Sequence, residues 1–240
     1  MHPIFGKKII LLSFLCILSL AAQAQKQPGK GNYNFMNKQG KPYYFGLTLA
    51  FHSSNYNIFR SKNFNTQEQI LSVESVTGPG YSVNVVSNLK IGRYFDFRLL
   101  PGFSFTERNI RYQDLSQQNL INNIKVESVF TEVPFHVRFK SEPYNDMRLY
   151  VVAGLKYSFD IASKARREAQ DRILKISPTD FSVEAGFGMQ FFFPYFILSP
   201  ELKFTQGINN ILIFNENIIE SSILENVLSR TITLSFHFEG

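Results

Sequence analysis

From Asp180 to Thr205 the chain reads DFSVEAGFGMQFFFPYFILSPELKFT, and its side chains alternate in character. Phe181, Val183, Ala185, Phe187, Met189 and Phe191 fall on one face, and Asp180, Ser182, Glu184, Gly186, Gly188 and Gln190 on the other. Beyond Phe193-Pro194 the pattern resumes, with Phe196, Leu198, Pro200, Leu202 and Phe204 opposite Ser199, Glu201, Lys203 and Thr205. Period two is the period of a strand, whose successive side chains point to opposite faces. A half-buried strand of a soluble protein alternates as well, so the polar face must discriminate. Here it carries glycines and single charges at mid-strand, against an aromatic-rich apolar face. That combination predicts a transmembrane barrel, with a polar lumen and an apolar outside turned to lipid.

The same pattern recurs along the chain. It predicts strands over Tyr43–Ser53, Gly80–Lys90, Tyr94–Arg108, Lys125–Lys140, Arg148–Asp160, the two of the hairpin just described, and Arg230–Glu239. Outward rows include Tyr43, Phe45, Leu47, Leu49 and Phe51 in the first strand and Ile232, Leu234, Phe236 and Phe238 in the last. The connections alternate between long polar segments (54–79, 109–123, 162–178 and 207–228) and tight turns at Ile91-Gly92-Arg93, Ser141–Met147 and Phe193-Pro194. Eight strands with this asymmetry predict an all-β, antiparallel, up-and-down outer-membrane barrel with short periplasmic turns and longer external loops. A soluble lipocalin-type barrel would place its apolar residues inside. Eight strands enclose a lumen just wide enough for side chains to fill, which argues against an open channel for anything large.

Residues 1–24 read as a signal peptide: a basic start at Lys7 and Lys8, an apolar run from Ile9 to Leu20, and the small-x-small site Ala22-Gln23-Ala24. The apolar run is too short for a membrane anchor. Residues 25–41 are polar and rich in Gly, Asn, Gln and Lys, and read as a flexible periplasmic lead-in to a barrel over 42–240. Cys16, the only cysteine, lies in the signal, so no disulfide or thiol chemistry is expected. Removing Lys7 and Lys8 from the 25 basic residues leaves 23 against 19 acidic ones, a formal +4 that is dispersed along the chain. No basic cluster interleaved with aromatics marks a nucleic-acid surface. Mean hydropathy is −0.09. A barrel escapes that average because half of each strand is polar, while 25 Phe and 11 Tyr without Trp suit lipid-facing bands.

The inward charges are Asp96, Arg98, Glu132, Arg138, Lys156, Asp160, Glu184, Glu201 and Lys203. The Pro143 turn brings Glu132 close to Lys156. The Phe193-Pro194 turn sets Glu201 near Gly188 and Lys203 near Gly186, with Glu184 one layer above. Both signs are interleaved rather than forming a ring of one sign, which favours a salt-bridged structural plug over an ion or proton path. Hydrolysis would need a nucleophile, a base and an orienting acid within reach of one another. His136 and His237 point inward in the periplasmic halves of their strands, and His52 lies nearer the external rim. Ser235-x-His237 is a weak match, because residues i and i+2 of a strand stand about 7 Å apart. No His or Cys pair has metal-ligand spacing. The expectation is a non-enzymatic barrel without cofactor or metal, with a barrel hydrolase and a small-solute or adhesin-like barrel as rivals.

Several short motifs follow one another in order: Arg98-Leu99-Leu100-Pro101-Gly102-Phe103-Ser104-Phe105, Glu107-Arg108, Glu127-Ser128, Glu132-Val133-Pro134, Gly154-Leu155-Lys156-Tyr157 and Pro200-Glu201-Leu202-Lys203-Phe204. In this order the chain resembles the PorT family of Bacteroidetes outer-membrane barrels from about Lys41 onward. The resemblance implies an integral outer-membrane protein tied to type IX secretion and gliding motility. Its partners would be membrane lipid and other secretion proteins, and it implies no enzyme activity and no cofactor.

Overall fold

A computed structural model describes residues 31–61, 70–114, 121–163, 175–213 and 224–240. The expected signal segment and part of each expected external loop lie outside these ranges. Twelve strands and one helix are described. They are α1 (Tyr33–Gln39), β1 (Tyr43–Arg60), β2 (Ile70–Val76), β3 (Gly78–Ile91), β4 (Phe95–Leu99), β5 (Gly102–Asp114), β6 (Ile121–Lys140), β7 (Met147–Asp160), β8 (Lys175–Ile176), β9 (Thr179–Phe192), β10 (Ile197–Gly207), β11 (Leu212–Ile213) and β12 (Leu224–Glu239).

Antiparallel pairing runs from β1 through β3, β4 with β5, β6, β7, β9 and β10 to β12, and β12 pairs back onto β1 from Gly46↔Glu239 to Arg60↔Leu224. The ring is therefore closed. β2 continues β3, and β4 and β5 form one strand, so the wall has eight staves. At Pro101 the missing N–H interrupts the ladder, yet the register passes from Leu99↔Phe135 to Gly102↔Glu132 without slipping. Between β2 and β3 it does slip: Val76 faces Asn109 and Gly80 faces Thr106, so a bulge bends the wall there.

The alternation places side chains as expected. The outward row of β1, from Tyr43 to Phe51, is exposed, as are Phe95, Phe103, Phe135, Leu155, Phe187 and Phe204 around the ring. An apolar belt on every stave has no soluble use and matches the hydrocarbon core of a bilayer. Tyr43, Tyr144, Tyr195 and Phe196 crowd the short-turn end, as an aromatic girdle does. The turn between β6 and β7 is tight, with Asn145 (φ 48°) and Asp146 (φ 57°) in the left-handed region favoured by two-residue hairpins.

Two expectations need correction. The strands are longer than predicted: β1, β6 and β12 have 18, 20 and 16 residues, more than the roughly 9–11 that cross a bilayer. Segments 54–79, 109–123 and 207–228 thus lend residues to strands that rise past the membrane. Beyond the lipid the outer face no longer has to be apolar, so Ser53-Ser54-Asn55-Tyr56-Asn57 carries no strand signal of the same kind. The second correction concerns the lead-in. Residues 33–39 form α1, which docks on the short-turn mouth with Phe35 buried edge-on against Phe192 at 5.1 Å. Asp146 clamps its start, accepting from the Phe35 backbone N–H at 3.0 Å and from Asn34 Nδ2 at 3.2 Å, while its own N–H donates to Asn32 at 2.9 Å.

Candidate functional site

The lumen holds the chemistry. Inward glycines make room for it: a Cβ at Gly188 would strike the Tyr150 ring, one at Gly154 the His136 ring, and one at Gly80 the His52 ring. Small residues opposite large ones let an eight-stranded interior be filled rather than hollow.

Nearest the short-turn end, Asp96 takes Arg138 at 2.7 Å and also Lys140. Tyr44 and Asn88 receive further hydrogen bonds from Arg138. One layer up, Arg98 is paired with Glu239 and lies 3.8 Å from Glu201. Glu201 also accepts from the Tyr150 hydroxyl at 2.8 Å and stands 3.7 Å from Lys203. Above that, Glu184 collects His136 at 2.5 Å, Lys156 at 3.5 Å, Lys203 at 3.6 Å and the Thr205 hydroxyl at 2.8 Å. Lys156 reaches Glu132 at 3.3 Å. All of these groups are buried or nearly so. A buried ion needs partners because its desolvation costs several kcal/mol, roughly, and here charges of opposite sign supply them.

Of the nine expected lumen charges, eight join these clusters. Asp160 stands apart, accepting from the Ala162 N–H at 3.0 Å where β7 ends. The expected pairings hold: Glu201↔Gly188 and Lys203↔Gly186 are in register, and Glu132 meets Lys156 diagonally. Lys140 and Glu239, which close the lowest layers, and His136 join the ion network beyond the nine expected charges. Lys140 and Glu239 continue the inward rows of their strands, the first after His136 and Arg138 and the second after Ser235 and His237, but at a strand end it is the ion pairs to Asp96 and Arg98 that turn the side chain into the bore rather than to solvent.

Above the ions the lumen turns to hydroxyls. Ser54 meets Thr231 at 2.9 Å, and His52 meets Thr106 at 2.9 Å. A cavity of about 30 Å³ remains among them, room for a water molecule. Arg108 then spans the bore, its guanidinium 5.3 Å from the Tyr56 ring and 5.2 Å from that of Phe130. Over it sits an apolar cap of Tyr56, Val73, Ile211, Leu224 and Val227, joined by Ile176 and Leu212 from the two-stranded sheet of β8 and β11. Asn210 ties this cap down, accepting from Leu212 and Val227 N–H groups and donating to Glu225 O. The bore is therefore closed above by the cap and below by α1.

One constellation has the composition of a hydrolase relay. Thr48 Oγ1 lies 2.6 Å from His237 Nδ1, and His237 Nε2 lies 3.4 Å from Glu201. All three are buried in the wall of the filled bore, at 2 %, 0 % and 1 % exposure, where no substrate bond can approach the hydroxyl. Ser235, the hydroxyl that the sequence offered to His237, is not its partner in this arrangement. Among the described residues no cluster of His, Cys, Asp and Glu could hold a metal ion.

Residues 23–212 match the family profile described as "Outer membrane protein beta-barrel domain". No curated protein matches the sequence. Among solved structures the chain is similar to the outer membrane protein OprG from Pseudomonas aeruginosa, at 10% identity and a TM-score of 0.46 over 82% of this chain and 95% of that one. Neisserial surface protein A gives 10% identity and 0.40 over 81% and 96%. Ail, the attachment invasion locus protein of Yersinia pestis, gives 11% and 0.35 over 83% and 100%.

Proposed function

The chain belongs to the outer membrane protein β-barrel domain family, and from that premise we propose that this outer-membrane barrel is non-enzymatic and non-conducting and supports protein export. In this reading it is a component or assembly factor of a type IX secretion and gliding system, working through its external cap or its periplasmic rim. The observation that carries the proposal is the closure of the bore at three levels: apolar cap, ion network and α1. A pore needs an aqueous path with binding weak enough to let ions leave. Here interleaved pairs and a cavity of about 30 Å³ take its place. A barrel that transports nothing through its middle is left with surfaces, and it has two: the cap, built on strands that overrun the membrane, and the short-turn end with its docked helix. The ordered motifs from Arg98 to Phe204 that resemble the PorT family supply the link to secretion.

Deletion of the gene followed by comparison of the secreted proteins tests the reading. The expected result is loss of many exported proteins at once, restored by the wild-type gene. Unchanged secretion together with loss of one surface adhesion or solute-uptake phenotype would replace it with the adhesin-like or small-solute reading.

A further inference from the structure

Between α1 and the barrel floor lies a cavity of about 370 Å³, within the range of small-molecule sites. One wall is apolar: Phe35 from α1, Phe192 from the end of β9 and Ile197 from the start of β10, all buried. The facing wall is cationic, with Lys38, Lys90 and Arg148 around it. The two walls adjoin, since the Arg148 guanidinium lies 5.2 Å from the Phe35 ring centre.

The charge of this pocket is not cancelled. Lys90 Nζ donates to Lys38 O at 2.8 Å, and Lys38 Nζ to Tyr195 O at 3.0 Å. Arg148 donates to Ser141 O at 2.7 Å and to Arg93 O at 3.0 Å. Carbonyl oxygens satisfy the donors but bring no negative charge. The carboxylates that stand near are already engaged, Asp96 by Arg138 and Lys140, and Glu142 by Arg93 at 2.9 Å. Among the described residues none forms an ion pair with Lys38, Lys90 or Arg148. Gln39, Gly92 and Arg93 at the rim are exposed, so the pocket is reached from the periplasmic side.

We propose that this pocket binds a carboxylate carried on a short apolar stem, the anion against Lys38, Lys90 and Arg148 and the stem against Phe35, Phe192 and Ile197. An inorganic anion would answer the charge and leave the aromatic wall unused; an uncharged stem would leave the cations unanswered. Two sources share this chemistry, a free short-chain carboxylic acid and the terminal carboxylate of a peptide with an apolar last side chain. The site is independent of the export reading, because it is assayed on purified protein and secretion plays no part in the result.

Calorimetric titration of the folded full-length barrel in detergent micelles tests the proposal. The probes are hexanoate, hexanamide, inorganic phosphate, and a triglycyl-leucine peptide with a free or an amidated end. Saturable binding is expected for hexanoate or for the free-acid peptide, and the tighter of the two identifies the source. Lys38→Gln and Lys90→Gln should each weaken it by about tenfold or more, the loss of one charge-assisted hydrogen bond. Heat-modifiable gel migration checks that each variant is folded, and the acid-against-amide comparison on wild type stands even where a variant is not. The proposal fails if neither acid binds, if hexanamide binds as well as hexanoate, if phosphate binds as tightly as either acid, or if both folded variants bind like wild type.

Discussion

At the scale of single residues, Glu184 is the hub of the lumen, with His136, Lys156 and Lys203 all drawn to it. Glu132 holds only Lys156 among the described ion pairs, and Lys156 keeps Glu184 if Glu132 is lost. Glu184→Gln should therefore destabilise the barrel by about 3–5 kcal/mol, the usual cost of stranding a buried charge. Glu132→Gln should cost clearly less, about 1 kcal/mol. Urea titration of the barrel folded into liposomes measures both; equal costs would show that Glu184 is not the hub. The sequence made the inward direction of these residues legible, because alternation assigns faces. It could not say which charge meets which, since partners such as Arg98 and Glu239 lie 141 positions apart and are joined only by closure of the ring.

At the scale of elements, the lipid face and α1 make different demands. Leu155 and Phe187 lie in mid-strand on the outward face, so arginine at either should cost about 2–4 kcal/mol in the same titration. The tight turns and outward rows were readable because both follow local rules, hairpin geometry and period two. The upper strands were not, since their signal depends on lipid that is no longer there. α1 was hidden for another reason. A helix of 7 residues has no stability of its own in water, and no composition test detects one that persists only by docking. Phe35 is the buried side chain of α1. Phe35→Ala should remove on the order of 3 kcal/mol of that docking and make residues 33–39 open to protease while the barrel stays folded. Resistance equal to that of wild type in limited proteolysis would mean that the Asp146 clamp suffices alone.

At the scale of the whole molecule, a bore closed at both ends should carry no steady current. Reconstitution in a planar bilayer is expected to give a flat trace, and discrete openings of reproducible conductance would contradict the closed bore. Closure has a further consequence, which concerns the end of the chain. The seam is made by β1 and β12, the first and last strands of the ring, and the carboxylate of Glu239 at the end of β12 answers Arg98 and approaches Arg138 at 3.8 Å. Without that residue Arg98 keeps only Glu201, at 3.8 Å, and Arg138 keeps Asp96. A chain cut short by two residues can still offer nearly all its strands to the membrane, but the floor of its bore holds the same cations with one anion fewer. The seam is thus locked by charge as well as by its backbone ladder, and a copy lacking Glu239 should unfold at lower urea than the full-length barrel.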